Sequence, residues 1–577
     1  MQADRPLTDA ENIVRYNSKA VVRFLALALV APVGLLISLG TTPGLPSSAG
    51  HSKIRFTPSR IAFHLEPDET TDRHVPATMA GGAAVFDYNK DGRPDIFFTN
   101  GANIETLKKD SPKYSNKLFR NDGNGVFTDV TAQAGLAGTG YDIGVAAGDY
   151  DNDGYPDLFV TGVHHNTLYH NNGDGTFTDV TAKAGLDKPD TEYGPLWSVA
   201  ATWVDVNGDG LLDLFVVNYL QWDYATEPLC KYHNISDYCA PSYYKGLPNQ
   251  LFLNNGDGTF KDGSAEWGVR AQVGKGMGVG MADYDLDGKP DLFVTNDGYY
   301  NFLFHNRGNR FDEVAMQAGV SLPDDGNFIS GMGLDFRDLD NDGYPDIAFA
   351  ALANQTFPLF HNQSGKEFHE ATADEGMREA SLMRSGFGLG IYDFDNDGWK
   401  DIFVTGGHVL SLMTLGTNVD ESNFVFRNPG RTGKWTALAA DAGLNALPPG
   451  RHRGCAFGDF DGDGRVDVVV TALGRDAEIW MNRSESSGHW LDVALQGTRS
   501  NRDGIGARIK VTTASGVQYN HMTTSAGYAS SSDGPVHFGL GVDTRASAVE
   551  IRWPSGVVQI LKDVAADRVV TVKEPAH

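Results

Sequence analysis

The chain has 577 residues, too many for one compact core, so length alone points to several domains or one large repeat array. Its 74 acidic against 47 basic residues give a net charge of −27, which excludes the basic surface a nucleic-acid partner needs and suits a soluble, cation-binding or extracellular one. With 68 glycines and 11% aromatics it is too aromatic for a disordered acidic chain and reads as a folded, turn-rich β protein.

The first element is an export signal at residues 24–40. Phe24 to Leu39 (FLALALVAPVGLLISL) is apolar and follows Arg15, Lys19 and Arg23, and no Lys or Arg returns until Lys53. The basic flank, residues 1–23, should stay cytoplasmic while the rest of the chain is exported to the periplasm, the cell surface or the medium. An apolar run this short, holding Pro32 and Gly34, is brief for a spanning helix. A cleaved signal peptide and an uncleaved anchor both fit it, and any membrane contact is confined to that anchor. Residues 41–53 read as a linker.

From residue 54 the chain repeats. The pattern D-x-[DN]-x-D-G-x-x-D recurs seven times, with starts 55 to 78 residues apart. Loop 1 is DYNKDGRPD, with Asp87, Asn89, Asp91 and Asp95 at positions 1, 3, 5 and 9. The same positions are Asp149, Asp151, Asp153 and Asp157 in loop 2, and Asp205, Asn207, Asp209 and Asp213 in loop 3. They are Asp283, Asp285, Asp287 and Asp291 in loop 4, and Asp338, Asp340, Asp342 and Asp346 in loop 5. Loop 6 has Asp393, Asp395, Asp397 and Asp401, and loop 7 has Asp459, Asp461, Asp463 and Asp467.

The flanks repeat too. A run of small and apolar residues (GGAAVF, IGVAAG, GVGMA) precedes each motif, and a short strand (IFFT, LFVT, VVVT) follows it. Most units then carry a second signature such as NTLYHNNGDGTFTDVT, whose NGDG reads as a hairpin turn with Asn and Gly at positive φ. Four strands per unit, repeated radially, make a β-propeller, with the Gly/Ala-rich strand innermost. A linear β-solenoid uses shorter coils than these units supply. The expected fold is therefore all-β: a seven-bladed propeller over 54–485, followed by a small β domain. Open sheet edges invite aggregation, so IRFTPSRIAF (54–63) should pair with the seventh unit and latch the ring.

The motif has the logic of a shortened EF-hand loop. Side-chain oxygens at positions 1, 3 and 5, a carbonyl at 7 and a carboxylate at 9 converge, and the glycine at 6 permits the turn. So many oxygens favour Ca²⁺ over Mg²⁺, and the absence of His and Cys within the loops disfavours zinc and copper. The motifs hold 26 aspartates at these positions, and seven Ca²⁺ would bring −27 to −13. About seven structural calcium sites are the expectation. Loop 3 departs most, with Asn207 and LL before Asp213.

Two further segments stand apart. Cys230 and Cys239 lie close together in an insert and form a plausible disulfide in an exported chain; a zinc site there lacks a fourth ligand. Residues 486–565 lack the motif and alternate as strands (ARIKVTT, VQYNHMTT, AVEIRW, VVQIL), and 566–577 read as a tail.

These repeats resemble the FG-GAP/VCBS repeats also found in integrin α-chain propellers, over about residues 54–485. GIGARIKV, AGYASSSD, HFGLG and VEIRWPSG resemble the ASPIC/UnbV domain. The combination, with the insert PLCKYHNISDYCAPSYYKGLPNQLF, resembles the cartilage acidic protein family and its bacterial relatives. The resemblance implies calcium in the loops and export; it names no activity.

Two functions remain open. One is a calcium-dependent binding or adhesion protein of the cell envelope. It would meet a protein or carbohydrate ligand on the face opposite the loops, where Trp222, Tyr224, Tyr232, Tyr243 and Tyr244 are candidate contacts. The other is an enzyme with a metal or polar site at the propeller mouth, built from His74, His164, His165, Asp297, Arg384, His408 and His452.

Overall fold

A computed structural model describes residues 54–232, 234–410, 419–485, 488–532 and 534–576. The export segment and linker expected at 24–53 lie outside the described residues. Among those described, no helix is long and apolar enough to cross a membrane.

Each motif ends one strand and starts the next. The strands before the motifs are Ala83–Phe86, Asp142–Gly148, Ser198–Val204, Gly276–Ala282, Leu334–Arg337, Gly386–Tyr392 and His452–Gly458. Each strand after a motif begins on its position-9 aspartate, as in Asp157–Gly162 and Asp467–Ala472. With a third and an outer strand, these form seven antiparallel four-stranded sheets among the described residues, the first extended by a fifth, parallel strand. The first strands touch one another in sequence order, and the last touches the first, so the sheets close a propeller-like ring.

Chemistry at the axis follows from that crowding. A Cβ on Gly82 would lie 2.2 Å from the Ala529 carbonyl, and one on Gly144 2.3 Å from the Val199 carbonyl, so only glycine fits. Threonines ending the VT pattern stitch neighbouring sheets: Thr99 Oγ1 donates to Ile143 O, Thr161 to Val199 O and Thr471 to Gly81 O. In the hairpin after the third strand of sheet 2, Gly173 and Gly175 take the positive φ. Asn172, the Asn of that NGDG expected to share it, does not; its side chain bonds to Thr176 and Thr178.

The latch forms as the sequence implies. Phe56–His64 is the outer strand of sheet 7, running antiparallel to Asp476–Asn482 in the register Phe56↔Asn482 to Arg60↔Glu478. Phe56 is buried edge-on against Phe394 and Phe403, at 5.5 and 5.7 Å.

HWLDVAL does not join sheet 7. His489–Gln496 lies between Val536–Gly541 and Arg568–Lys573, so the stretch expected as a tail supplies a parallel strand. Glu574 then accepts N–H bonds from Thr498, Arg499 and Ser500. A second sheet orders Val517–His521, Arg508–Thr512, Arg545–Arg552 and Val558–Ala565.

This terminal module is not a separate bead. It sits on the motif-loop side of the ring: Asp149 N donates to Asp503, Arg502 N to Asn152, Arg508 to Gly343 O and Lys400 Nζ to Tyr519 O. From it, residues 523–532 run into the ring axis. Ser531–Ser532 pair in parallel with Ala84–Val85. Val145 N donates to Ala529 O, Gly527 N to Leu334 O and Phe457 N to Ser532 Oγ. The fully buried Tyr528 meets Phe387 edge-on at 5.2 Å and donates to Met79 O at 2.9 Å.

Candidate metal centres

The seven loops share one wiring. Position 1 accepts the N–H of the position-6 glycine through Oδ2, as in Asp149–Gly154 at 2.7 Å and Asp338–Gly343 at 2.9 Å. Position 5 accepts the N–H of position 7, as in Asp153–Tyr155 and Asp342–Tyr344, both at 2.8 Å. These bonds curl the backbone so that the carboxylates face one another.

Position 9 does something the sequence reading missed. Its Oδ2 accepts the N–H of position 2 (Tyr88 to Asp95, Tyr150 to Asp157, Phe460 to Asp467). Its Oδ1 accepts the N–H of an asparagine ending the third strand: Asn121, Asn171, Asn254, Asn306, Asn362, Asn428 and Asn482 in turn. This carboxylate therefore fixes the loop to the sheet, beside any part in holding a cation.

Those asparagines also join the sheets. Each Nδ2 donates to the position-2 carbonyl of the preceding loop: Asn171 to Tyr88, Asn254 to Tyr150, Asn306 to Val206, Asn362 to Tyr284, Asn428 to Leu339 and Asn482 to Phe394. Asn121 reaches Phe460 of loop 7 and closes the circle. The Asn that recurs where each third strand ends (LFRN, LYHN, LFLN, LFHN, LFHN, VFRN, IWMN) was the available signal.

Burial makes the loops electrostatically costly without a cation. It pushes the Asp149 carboxyl up to about 8, aided by the Asp503, Asp157 and Asp151 carboxylates. Asp95 and Asp213 are also pushed up to about 8, and Asp283 and Asp338 to about 7, mainly by burial. Asp149 and Asp338 are 1% and 3% exposed, yet neither Oδ1 accepts a hydrogen bond. Within each of the triads Asp149–Asp151–Asp157, Asp283–Asp285–Asp287 and Asp338–Asp340–Asp346, one oxygen from each residue lies within 4.8 Å of the others. Buried acceptors without donors, converging at that spacing, fit a divalent cation held by oxygen.

The residues proposed for the mouth are brought to separate partners. His74 Nδ1 lies 2.5 Å from Glu227, which also takes the Tyr244 hydroxyl; His164 meets Trp222 O and His165 meets Asp142. Asp297 accepts from Tyr219 and Arg384 covers Phe424. His408 accepts from Leu410 N and His452 donates to Gly406 O. The insert, closed by the Cys230–Cys239 disulfide, ties Glu227 to His74 and Val75.

Of the aromatics expected on this face, Trp222 and Tyr244 are buried, Tyr224 stacks near His74 and Tyr243 is 63% exposed. An exposed cluster lies on the same face, at sheets 4 and 5. Tyr299, Tyr300 and Phe328 pack together, with Tyr300 and Phe328 at 4.9 Å, and stay 37–49% exposed. They follow the second strand of sheet 4 and precede the first strand of sheet 5, the ends farthest from the motif loops. A cavity of about 340 Å³ beside Phe328 is lined by Asp324, Asp325, Asn354, Gln355 and Arg378.

Known proteins place these features. The FG-GAP-like repeat family matches residues 87–160, 149–216, 237–294, 283–349, 338–404 and 393–470, and the ASPIC and UnbV family matches 497–577. Human cartilage acidic protein 1 is 26% identical over 88% of this chain and 73% of its own length; the Mus musculus protein is 27% identical over 88% and 75%. Among solved structures, an Agrocybe aegerita lectin aligns at TM-score 0.39 and 18% identity over 69% of this chain and 86% of its own. BBS1N in complex with ARL6DN aligns at 0.38 and 10% over 76% and 99%.

Proposed function

Because the chain belongs to the FG-GAP-like repeat family and ends in an ASPIC and UnbV module, we propose that it is an exported, calcium-stabilised interaction protein of the cell envelope. The observation that carries this reading is the buried, donorless Oδ1 of Asp149 and of Asp338, each facing two further carboxylates. A divalent cation bound there neutralises charge that the fold has already taken out of water. Its role is structural: binding free energy becomes folding free energy.

The terminal module covers the loop side and residues 523–532 fill the axis. That leaves the opposite face for a ligand. Tyr299, Tyr300 and Phe328, beside a polar cavity, offer flat apolar surface and hydrogen-bonding groups to a protein or carbohydrate partner. The disulfide suits an oxidising compartment, and an N-terminal anchor would hold the ring at the membrane.

The test is binding of the calcium-loaded chain to glycan and protein arrays, beside a Tyr299→Ser/Tyr300→Ser/Phe328→Ser variant. Hits that the variant loses, and that chelator abolishes, support the reading. Hits unaffected by both changes contradict it.

A further inference from the structure

The seven loops fall into two classes by two independent features. The first is the residue before the bridging asparagine, which the third strand delivers beside the motif. It is His170, His305 and His361 at loops 2, 4 and 5, and Arg120, Leu253, Arg427 and Met481 at loops 1, 3, 6 and 7. The second is the position-1 Oδ1. In loops 1, 3, 6 and 7 it accepts backbone N–H bonds: Asp87 from Asp91, Asp205 from Gly208, Asp393 from Asp397 and Asp459 from Gly462. In loops 2, 4 and 5, Asp149, Asp283 and Asp338 leave that oxygen buried with no donor. The loops with the freed oxygen are the loops with the imidazole.

The geometry is that of co-ligands. His170 Nδ1 lies 3.2 Å from Asp157 and 3.4 Å from Asp151, yet that buried nitrogen makes no aligned hydrogen bond. His361 Nδ1 likewise lies 3.3 Å from Asp346 without one, while its Nε2 is 3.1 Å from Glu375. His305, 3% exposed, differs: its Nδ1 is hydrogen-bonded to Asp291 at 3.0 Å, and its Nε2 lies 3.6 Å from Asp285. Asp151–Asp153–His170 and Asp285–Asp291–His305 each bring three ligand atoms within 4.8 Å of one another. At His170 and His361 a nitrogen that approaches a carboxylate without bonding it is placed as a co-ligand of one ion is.

Calcium prefers oxygen, whereas zinc and its neighbours accept imidazole with carboxylate. We propose that loops 2, 4 and 5 are mixed nitrogen–oxygen sites that select a borderline divalent transition metal, zinc above all, with His170, His305 and His361 as ligands. The other four loops remain oxygen sites for calcium. The inference rests on reading the loops as cation sites, and it divides them.

The full chain, stripped of metal and dialysed against excess Ca²⁺ with trace Zn²⁺, is assayed for both metals. About three Zn²⁺ per chain should be retained beside about four Ca²⁺. His170→Gln, His305→Gln and His361→Gln should each lose about one Zn²⁺. Full calcium occupancy with no zinc retained overturns this inference alone. Loss of both metals overturns the cation reading itself. Zinc retained undiminished by the triple variant assigns it to the surface and also overturns the proposal. Should a variant fail to fold, the unaltered chain loaded with Co²⁺ decides. A ligand-field spectrum that persists in excess Ca²⁺ supports nitrogen ligation, and one that calcium abolishes contradicts it.

Discussion

Asn121 Nδ2 donates at 3.0 Å to the carbonyl of Phe460, joining residues 339 positions apart in sequence. It donates also to Pro94 O, while its own N–H binds Asp95. This bond is the seventh of a set that otherwise links sheets adjacent in sequence, and it spans the ring's closure.

Replacing that bridge should loosen the closure. Asn121→Ala leaves two carbonyls without their donor at a fully buried position, at a cost of about 2–4 kcal/mol. Urea unfolding should show a lowered midpoint, matched by Asn254→Ala, which breaks an ordinary junction. An unchanged midpoint for Asn121→Ala would remove the bridge from the account.

The latch makes a second prediction. Phe56→Ala empties a site between Phe394 and Phe403 and should cost about 3–5 kcal/mol. Because the strand is the outer edge of sheet 7, limited proteolysis should then cut first near residues 54–64. Cleavage elsewhere would show that the latch does not hold the ring.

The axial segment gives a third. Tyr528→Phe loses one hydrogen bond and should cost about 1 kcal/mol, whereas Tyr528→Ala also loses the Phe387 contact and should cost about 3–5 kcal/mol. If the module and ring fold as one unit, both changes lower a single unfolding transition. Two separated transitions would contradict that.

A fourth concerns acid. His521 is buried between module and ring and donates to Met281 O; burial, with Arg337 nearby, lowers its pKa to about 3. The neutral imidazole is the folded form, so its contribution is full above the unfolded value near 6.5 and is lost as pH falls from there towards 3. His521→Gln should flatten the melting temperature between pH 7 and 4. An equally steep acid loss in the variant would assign it elsewhere.

Much of this was legible in the chain. Repeats D-x-[DN]-x-D-G-x-x-D gave the loops, Gly/Ala runs the inner strands, and the likeness of residues 54–63 to outer strands gave the latch. What escaped were relations between distant residues. Asn121 and Phe460 share no local pattern, and AGYASSSD carries nothing that says it enters the axis of another domain. His170, His305 and His361 lie 13 to 15 residues beyond their position-9 aspartates, so a reading confined to each loop found no imidazole. The exposed aromatics were misplaced because burial of Trp222 and Tyr244 depends on how the insert folds down.

The central claim is that cations at the loops hold the ring together. The direct measurement is elemental analysis of the purified chain titrated with calcium alone, with the melting temperature followed before and after chelation. The account predicts about seven calcium ions per chain and a large fall in melting temperature when they are removed. Few bound ions, or a melting temperature that chelator leaves unchanged, would contradict it.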